Sequence, residues 1–122
     1  MSLLGILSFL AYPSYHQVLL KAHRLDALAA LERAQILLEN CYRENLSYAA
    51  PCKTLPKFPQ DSDEGYYSLA LSELTPTNYR LTASVQGSQT RDHDCFSFSI
   101  NAVNQRMARD KQGNIRLDCW GK

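Results

Sequence analysis

Histidine, carboxylate and cysteine side chains are the residues of this sequence that could do chemistry. His16 and His23 are seven residues apart, so on a helix they share one face but lie about two turns from each other. That separation is too long for both to bind one ion without other ligands, and we predict surface histidines rather than a metal site. The run RDHDC, residues 91–95, places two aspartates and a histidine beside a cysteine. Its polarity favours a polar loop between two strands over a metal site.

Motifs typical of catalysis do not occur in the sequence. No serine, cysteine or lysine nucleophile lies in a recognisable setting, and there is no glycine-rich phosphate loop and no paired-carboxylate signature. We therefore predict that the protein is not an enzyme and that it has no metal and no cofactor.

The four cysteines are even in number, and their spacings do not match the short paired spacings of a zinc site. Disulfides are expected instead, and since they persist in oxidising compartments, the folded part of the chain is expected outside the cytoplasm. Cys41 at a helix end and Cys52 in the following loop could close one small ring, and Cys119 could return to Cys95. We predict the pairs Cys41–Cys52 and Cys95–Cys119, which are one of three possible connectivities.

Charge gives the chain no overall preference for nucleic acid. Thirteen basic and twelve acidic residues leave a net charge of +1 on 122 residues, so such a partner would need a local basic patch. Basic residues in the second half slightly outnumber the nearby acids, and our candidates for DNA contacts are Arg80, Arg106 and Arg109, with Arg91, Lys111 and Arg116 nearby. A solvated sheet face is the simpler explanation, and both interpretations stay open.

One long helix is predicted over residues 1–44, with an apolar part at 1–15 and an amphipathic part at 16–44. In the amphipathic part, spacings of seven, four, three, four and three define one apolar stripe, which consists of Leu20, Ala27, Leu31, Ala34, Leu38 and Cys41. The opposite side carries charged residues that we expect in water, namely Asp26, Glu32, Arg33, Glu39 and Arg43. Pro13 lies where the polar face begins, and it is expected to kink or locally unwind the helix.

Residues 45–122 are predicted to form a globular head with an antiparallel sheet. Residues 45–65 hold three of the five prolines and no sustained periodicity, which predicts a loop. From Tyr66 onward the period changes to two, which predicts four strands near residues 66–72, 78–85, 95–102 and 105–110. The polar residues 87–94 are predicted to be a mobile loop. We therefore expect an α+β fold, in which the long N-terminal helix packs on a four-stranded antiparallel sheet.

The apolar run at the N-terminus is too short to cross a membrane alone. It covers residues 3–12, about ten residues where a span needs about twenty, and it lacks the flanks of a signal peptide. We expect it to be the lower part of a longer apolar helix, with further sequence upstream of Met1 and with residues 21–24 already in water. The candidate anchor residues are Leu3, Leu4, Gly5, Ile6, Leu7, Phe9, Leu10 and Pro13.

Five stretches of the chain together resemble the type IV pilin family, and most of all its E-type minor pilins. They are GILSFLAYPSY at residues 5–15, RLDALAALERAQILLENCY at 24–42, YYSLALSEL at 66–74, NYRLTASVQGSQ at 78–89 and the closing CW at 119–120. The resemblance implies the pilin fold and a structural, non-enzymatic subunit of a type IV pilus, a fibre used in twitching motility and adhesion.

The resemblance also implies partners and a location. Such subunits bundle their N-terminal helices with those of major and minor pilins; before assembly the helix lies in the inner membrane, and afterwards the subunit belongs to an extracellular fibre. The head is expected in the periplasm or outside the cell. Members of the family begin with a basic leader, a glycine cleavage point and a glutamate within an apolar stretch, and MSLL stands in their place here. A start codon assigned too far downstream is the first explanation, ahead of a trimmed sequence or a decayed gene.

Two alternative functions stay open. A DNA-receptor pilin for natural transformation would use the arginines named above. A pseudopilin of a type II secretion system shares the helix but commonly holds its C-terminal loop with calcium. The four cysteines, and a C-terminal loop that is not rich in carboxylates, favour a pilin over a pseudopilin.

Overall fold

A computed structural model of the protein describes residues 2–53 and 55–121, and for residues 2–14 and 16 it describes the backbone alone. The first element is the helix α1 (Ser2–Asn45), 44 residues long. It passes through Pro13 without a break, so the backbone shows no local unwinding at that residue. A proline removes one backbone hydrogen bond from the helix. The hydrogen bonds of the neighbouring turns are enough to continue a helix of this length.

Five strands follow α1 and form one sheet. They are β1 (Gln60–Asp61), β2 (Tyr67–Ser72), β3 (Arg80–Val85), β4 (Ser97–Asn101) and β5 (Arg106–Arg109). All neighbours pair antiparallel in the order β1-β2-β3-β4-β5. Two short 3-10 helices complete the head, Gly87–Arg91 between β3 and β4, and Leu117–Trp120 after β5.

The predicted number of four strands is wrong, because the structure adds β1 inside the segment that we predicted to be a loop. Gln60 pairs with Leu69, and Asp61 pairs with Ser68. Two residues are too few to show an alternating pattern in the sequence. The edge of β2, rather than any local preference of residues 60 and 61, makes this segment a strand.

The core lies between one face of α1 and the inner face of the sheet. The predicted helix stripe is buried along its whole length, and each of its six residues is at most 5% exposed. Alternate residues of four strands cover it from the other side, and the fully or nearly fully buried ones are Tyr67, Leu69, Leu81, Ala83, Phe98, Ile100 and Ala108. Burying one leucine or phenylalanine side chain contributes about 1.5–3 kcal/mol, so this layer holds the helix on the sheet.

Two disulfides attach the irregular segments to this core. Cys41–Cys52 joins α1 to the loop that follows it, and Cys95–Cys119 joins the segment before β4 to the C-terminal 3-10 helix. These are the two pairs that the sequence predicts. Trp120 packs edge-on against Phe98 and donates from its indole nitrogen to a backbone carbonyl of β5 at 2.9 Å. The end of the chain is thus attached both covalently and by packing.

The prediction that Asp26 lies on the wet face of α1 is wrong. Asp26 is only partly exposed and accepts a hydrogen bond of 2.5 Å from the Ser62 hydroxyl. It also accepts from the backbone amides of Glu64 and Tyr66. The carboxylate therefore holds the turn before β2 against the helix, a role that helical spacing cannot reveal because the partners come from a distant segment.

Candidate functional site

The helix α1 carries a second apolar stripe that faces away from the sheet. Four of its larger side chains expose 56 to 67% of their surface, and two alanines between them are also exposed. At 3.6 residues per turn, the stripe lies about opposite to the buried one. We call it the outward seam, and it consists of Tyr15, Val18, Ala22, Leu25, Ala29 and Ile36. With two apolar faces, α1 can pack on its own sheet and on another helix at the same time.

A buried polar cluster joins the 3-10 helix Gly87–Arg91 to α1. Gln89 is fully buried, and its Nε2 donates to the carbonyl of Leu20 at 2.9 Å and to the Tyr67 hydroxyl at 3.2 Å. Its Oε1 lies 3.1 Å from Nδ1 of His23. Because Nε2 faces acceptors, Oε1 must accept, and the hydrogen-bond network therefore assigns a proton to Nδ1 of His23. Burial raises the pKa of the Tyr67 hydroxyl, so this group stays neutral in the cluster.

Arg24 and Asp92 form an ion pair beside Gln89. The guanidinium donates to both carboxylate oxygens, at 2.6 and 2.7 Å, and the two side chains are 17% and 3% exposed. The hydrogen bonds to Asp92 raise the pKa of Arg24, so the guanidinium stays charged.

Two predictions about these residues are wrong for the same reason. The prediction that residues 21–24 lie in water is wrong for Arg24, which is largely buried, whereas Lys21 and Ala22 are exposed. The prediction of an irregular polar loop over residues 87–94 is wrong in part, because residues 87–91 form a 3-10 helix and Gln89 and Asp92 are buried. Arg24 and Asp92 are 68 positions apart, and polar residues that satisfy each other across such a distance leave no periodic signal in the sequence. The only hint was the density of charge in RDHDC.

Among the side chains that the structure describes, at residues 15, 17–53 and 55–121, no three histidine, cysteine or carboxylate groups come together in a way that could hold an ion. His23 is bonded to Gln89, and the side chain of His16 lies outside the described residues.

The three arginines proposed for DNA contacts do not form one site. Arg80 lies on the outer face of the sheet, and Glu73 is its ion-pair partner. Arg106 lies on the opposite, inner face, since its register partner is the buried Ile100, and its guanidinium lies 5.2 Å from the centre of the Trp120 ring. The strict alternation of faces along a strand separates these two residues.

Arg109, the third of these arginines, lies beside other basic residues. It is exposed on the outer face and donates to the carbonyl of Gly113 at 2.8 Å. The amide of Lys111 donates to the carbonyl of His93 at 2.8 Å, which places the turn after β5 next to residues 91–94. We call Arg91, Arg109 and Lys111 the basic patch.

The basic patch is exposed, and its three charges have no carboxylate partner among the described side chains. Of the three acids nearby, Asp110 alone has no cationic partner in the described part of the chain, and its carboxylate accepts from the backbone amides of Gln112 and Asn114. Asp92 binds Arg24, and Asp94 lies 3.5 Å from Arg116. The patch is therefore locally positive on a chain that is close to neutral overall, which suits a phosphate backbone.

The candidate anchor residues fall in the part of α1 whose side chains lie outside the described residues. They are Leu3, Leu4, Gly5, Ile6, Leu7, Phe9, Leu10 and Pro13, and their role stays a prediction. Within the described part of the chain, no helix combines the length and the apolar character that crossing a membrane requires.

Comparison with known proteins connects these features to one family. A family model described as "Type IV minor pilin ComP, DNA uptake sequence receptor" matches residues 13–99, well over half of the chain. No curated protein matches the sequence at a significant level.

Two solved structures resemble the fold. The non-core minor pilin PilV of Neisseria meningitidis is 15% identical, with a TM-score of 0.60 over 75% of this chain and 88% of that one. A type IV pilin of Shewanella oneidensis is 26% identical, with a TM-score of 0.50 over 71% and 89% of the two chains. The first of these likenesses concerns the fold alone. With its long helix packed on an antiparallel meander and a family match over residues 13–99, the chain belongs to the type IV minor pilin family and is a structural pilin subunit.

Proposed function

We propose that this subunit joins the pilus through both the N-terminal segment and the outward seam of α1. The observation that carries this proposal is the exposure of Val18, Leu25 and Ile36 on a face that the head does not cover. Contiguous apolar surface that stays exposed in a single chain is typical of a protein contact. The family and the fold are those of structural pilins rather than of known enzymes, which agrees with a packing role.

The spacing of the outward seam supports a helix as its partner. From Tyr15 to Ala29 its members follow one another at steps of three and four residues, and Ile36 lies one further heptad on; in the sequence the same steps continue back to Ala11, Leu7 and Leu4. Such a repeat is typical of helices that pack side by side at a crossing angle of about 20°. Alanines 22 and 29 keep the seam narrow, so two helix backbones can approach closely. The partners we propose are the helices of other pilin subunits.

We propose the inner membrane as the location before assembly, with the N-terminal apolar segment at the bilayer and the head in the periplasm. The two disulfides support an oxidising compartment for the head. After assembly the head belongs to the outer surface of an extracellular fibre.

Replacing both Leu25 and Ile36 by glutamate is expected to reduce incorporation of the subunit into pili by about tenfold or more, because an unpaired charge in an apolar helix seam costs several kcal/mol. The measurement is the amount of subunit in sheared pili, relative to the amount in the cells. Both positions are exposed in the single subunit, so folding should be unchanged.

The matched control for the seam is Val103→Glu with Leu117→Glu, which introduces the same two charges at head positions that are 70% and 61% exposed. It should leave incorporation unchanged. Wild-type amounts of the Leu25→Glu, Ile36→Glu subunit in pili would contradict the seam as an assembly surface.

A second candidate function is binding of DNA by the head, for which the basic patch is the specific observation. Arg91 ends a 3-10 helix, Arg109 ends β5 and Lys111 lies in the turn after it. All three are exposed, the two segments meet where Lys111 donates to His93, and the three charges have no carboxylate partner among the described side chains. The family description of a DNA uptake sequence receptor supports the same ligand. Of Arg80, Arg106 and Arg109, only Arg109 stays a candidate contact, since Arg80 pairs with Glu73 and Arg106 packs on Trp120.

Reversing Arg91 and Lys111 to glutamate is expected to weaken binding of a short labelled duplex by about tenfold or more, and to lower the salt dependence by about one counterion per lost phosphate contact. Fluorescence anisotropy at several salt concentrations measures both quantities. The control with the same change in net charge is Arg43→Glu with Lys57→Glu, two exposed positions away from the patch. An equal loss in the control would show that overall charge, rather than the patch, binds the DNA.

A further inference from the structure

Arg91 lies between the two residues that attach its loop to α1. Gln89 donates to the Leu20 carbonyl and accepts from His23, and Asp92 binds Arg24 at two points. Both side chains are buried, while Arg91 itself is exposed. We call Gln89 and Asp92 the clamp. It fixes the backbone on both sides of Arg91 without using the Arg91 side chain.

The loop that the clamp holds also contacts the turn after β5. The amide of Asp92 donates to the carbonyl of Gln89 at 2.9 Å, and His93 then accepts from Lys111 at 2.8 Å. A shift of Asp92 would therefore move the carbonyl of His93, which accepts from Lys111 in the turn after β5. The position of Arg91 relative to Lys111 depends on this chain of contacts.

The composition of the loop does not favour order by itself. Residues 87–94 read GSQTRDHD, which is polar and begins with a glycine at φ +57°, and such segments are mobile unless tertiary contacts hold them. A mobile loop must be ordered when it binds, and the apparent affinity falls by the fraction of molecules in which the loop is already in place. The clamp removes this cost before any ligand arrives.

We propose that Gln89 and Asp92 are positioning residues for nucleic-acid binding, which hold Arg91 beside Lys111 and Arg109 without contacting DNA themselves. The proposal rests on the DNA-binding function proposed above. It assigns a role in that function to the cluster of Gln89, His23, Arg24 and Asp92, whose members lie on the helix side of the loop and away from the patch.

The test compares Gln89→Ala and Asp92→Asn with Ser88→Ala in the full 122-residue chain. Ser88 is exposed in the same loop, so its variant is the matched control. Hydrogen exchange of residues 87–94 reports whether the loop is docked, and anisotropy of a labelled duplex of mixed sequence at several salt concentrations reports affinity and salt slope. Circular dichroism checks that each variant is folded, and Asp92→Asn keeps the shape of the side chain in case Gln89→Ala does not fold.

In the clamp variants we expect faster exchange in residues 87–94 and about five- to tenfold weaker binding, as for a loop docked in 10 to 20% of molecules. The salt slope should stay at the wild-type value, because the bound state keeps the same phosphate contacts. Arg91→Glu should instead lower the slope while leaving exchange unchanged. Ser88→Ala should resemble the wild type in all three measurements.

Two results would overturn this inference while leaving the DNA-binding function in place. One is hydrogen exchange at the wild-type rate in both clamp variants, and the other is faster exchange together with wild-type affinity for the duplex. A wild-type chain that binds no duplex at low salt would instead overturn the DNA-binding function, and this inference with it. A salt slope reduced as in Arg91→Glu would show that the clamp residues contact phosphates directly, which also contradicts a positioning role.

Discussion

Replacing Arg24 by methionine is expected to lower the free energy of unfolding by about 3–5 kcal/mol, because the substitution leaves Asp92 buried without its partner. The Asp92 side chain is only 3% exposed, so water cannot replace the two hydrogen bonds that the guanidinium donates. Methionine preserves most of the packing of the arginine stem, and the loss therefore reports the unpaired carboxylate. Urea unfolding, with a slope unchanged from wild type, measures the difference.

Arg33 provides the control for Arg24. It also lies on α1, and it forms an ion pair with Asp63 in which both side chains are exposed. The side chains of Arg33 and Asp63 are 58% and 62% exposed, and an exposed pair contributes little to stability because water and salt screen it. Arg33→Met should therefore lower stability much less. Equal effects at the two positions would contradict the assignment of Arg24 and Asp92 as a buried pair.

A double variant separates the cost of the unpaired charge of Asp92 from the cost of lost packing around the ion pair. Replacing Arg24 by methionine and Asp92 by leucine removes both charges, and most of the stability should return because no unpaired carboxylate remains buried. If the double variant is less stable than Arg24→Met alone, the loss comes from packing of the loop rather than from the buried charge.

Removal of the Cys95–Cys119 disulfide by alanine substitution is expected to cost about 3–4 kcal/mol, since a ring of this size restrains the unfolded chain. The two cysteines are 24 positions apart, and Trp120, the only tryptophan of the chain, follows directly. Release of the C-terminal segment should therefore expose the indole ring and shift its emission to longer wavelength. Thermal or urea unfolding gives the stability, and tryptophan fluorescence gives the local effect.

The Cys41–Cys52 pair serves as the comparison. Its cysteines are 11 positions apart, so its loss should cost slightly less, about 3 kcal/mol. Because this pair holds the loop after α1, its removal should leave the emission of Trp120 unchanged. An equal spectral shift in both variants would show that the head loosens as a whole rather than at the C-terminus.

Periodic patterns in the sequence predict most of the fold. The buried stripe from Leu20 to Cys41 and the inward residues of β2, β3 and β4 repeat at the spacing of a helix or a strand, and each such residue needs only an apolar neighbour of suitable size. The resemblance to pilins used the same segments. The structure has the predicted α+β fold, with one additional strand.

Other features depend on distant partners, and the sequence could not show them. The two residues of β1 form a strand because β2 offers a free edge, and Asp26 is engaged because a turn 36 positions away supplies a hydroxyl. Gln89 and Asp92 resemble loop residues in the sequence, yet they are buried because Leu20, His23 and Arg24 satisfy them. A polar group can be buried when one specific partner meets it, and no local rule predicts which partner that is.

The sequence by itself determined the long helix, the faces of the strands and two plausible disulfide rings, because local spacing decides which side chains share a face. Tertiary structure alone decided which charges are free. Strand register placed Arg80 and Arg106 on opposite faces, Glu73 and Asp92 neutralised two arginines, and the contact between two loops left Arg91, Arg109 and Lys111 together. Whether a charge is available to a ligand depends on its nearest partner in space, and that partner is known only when the chain has folded.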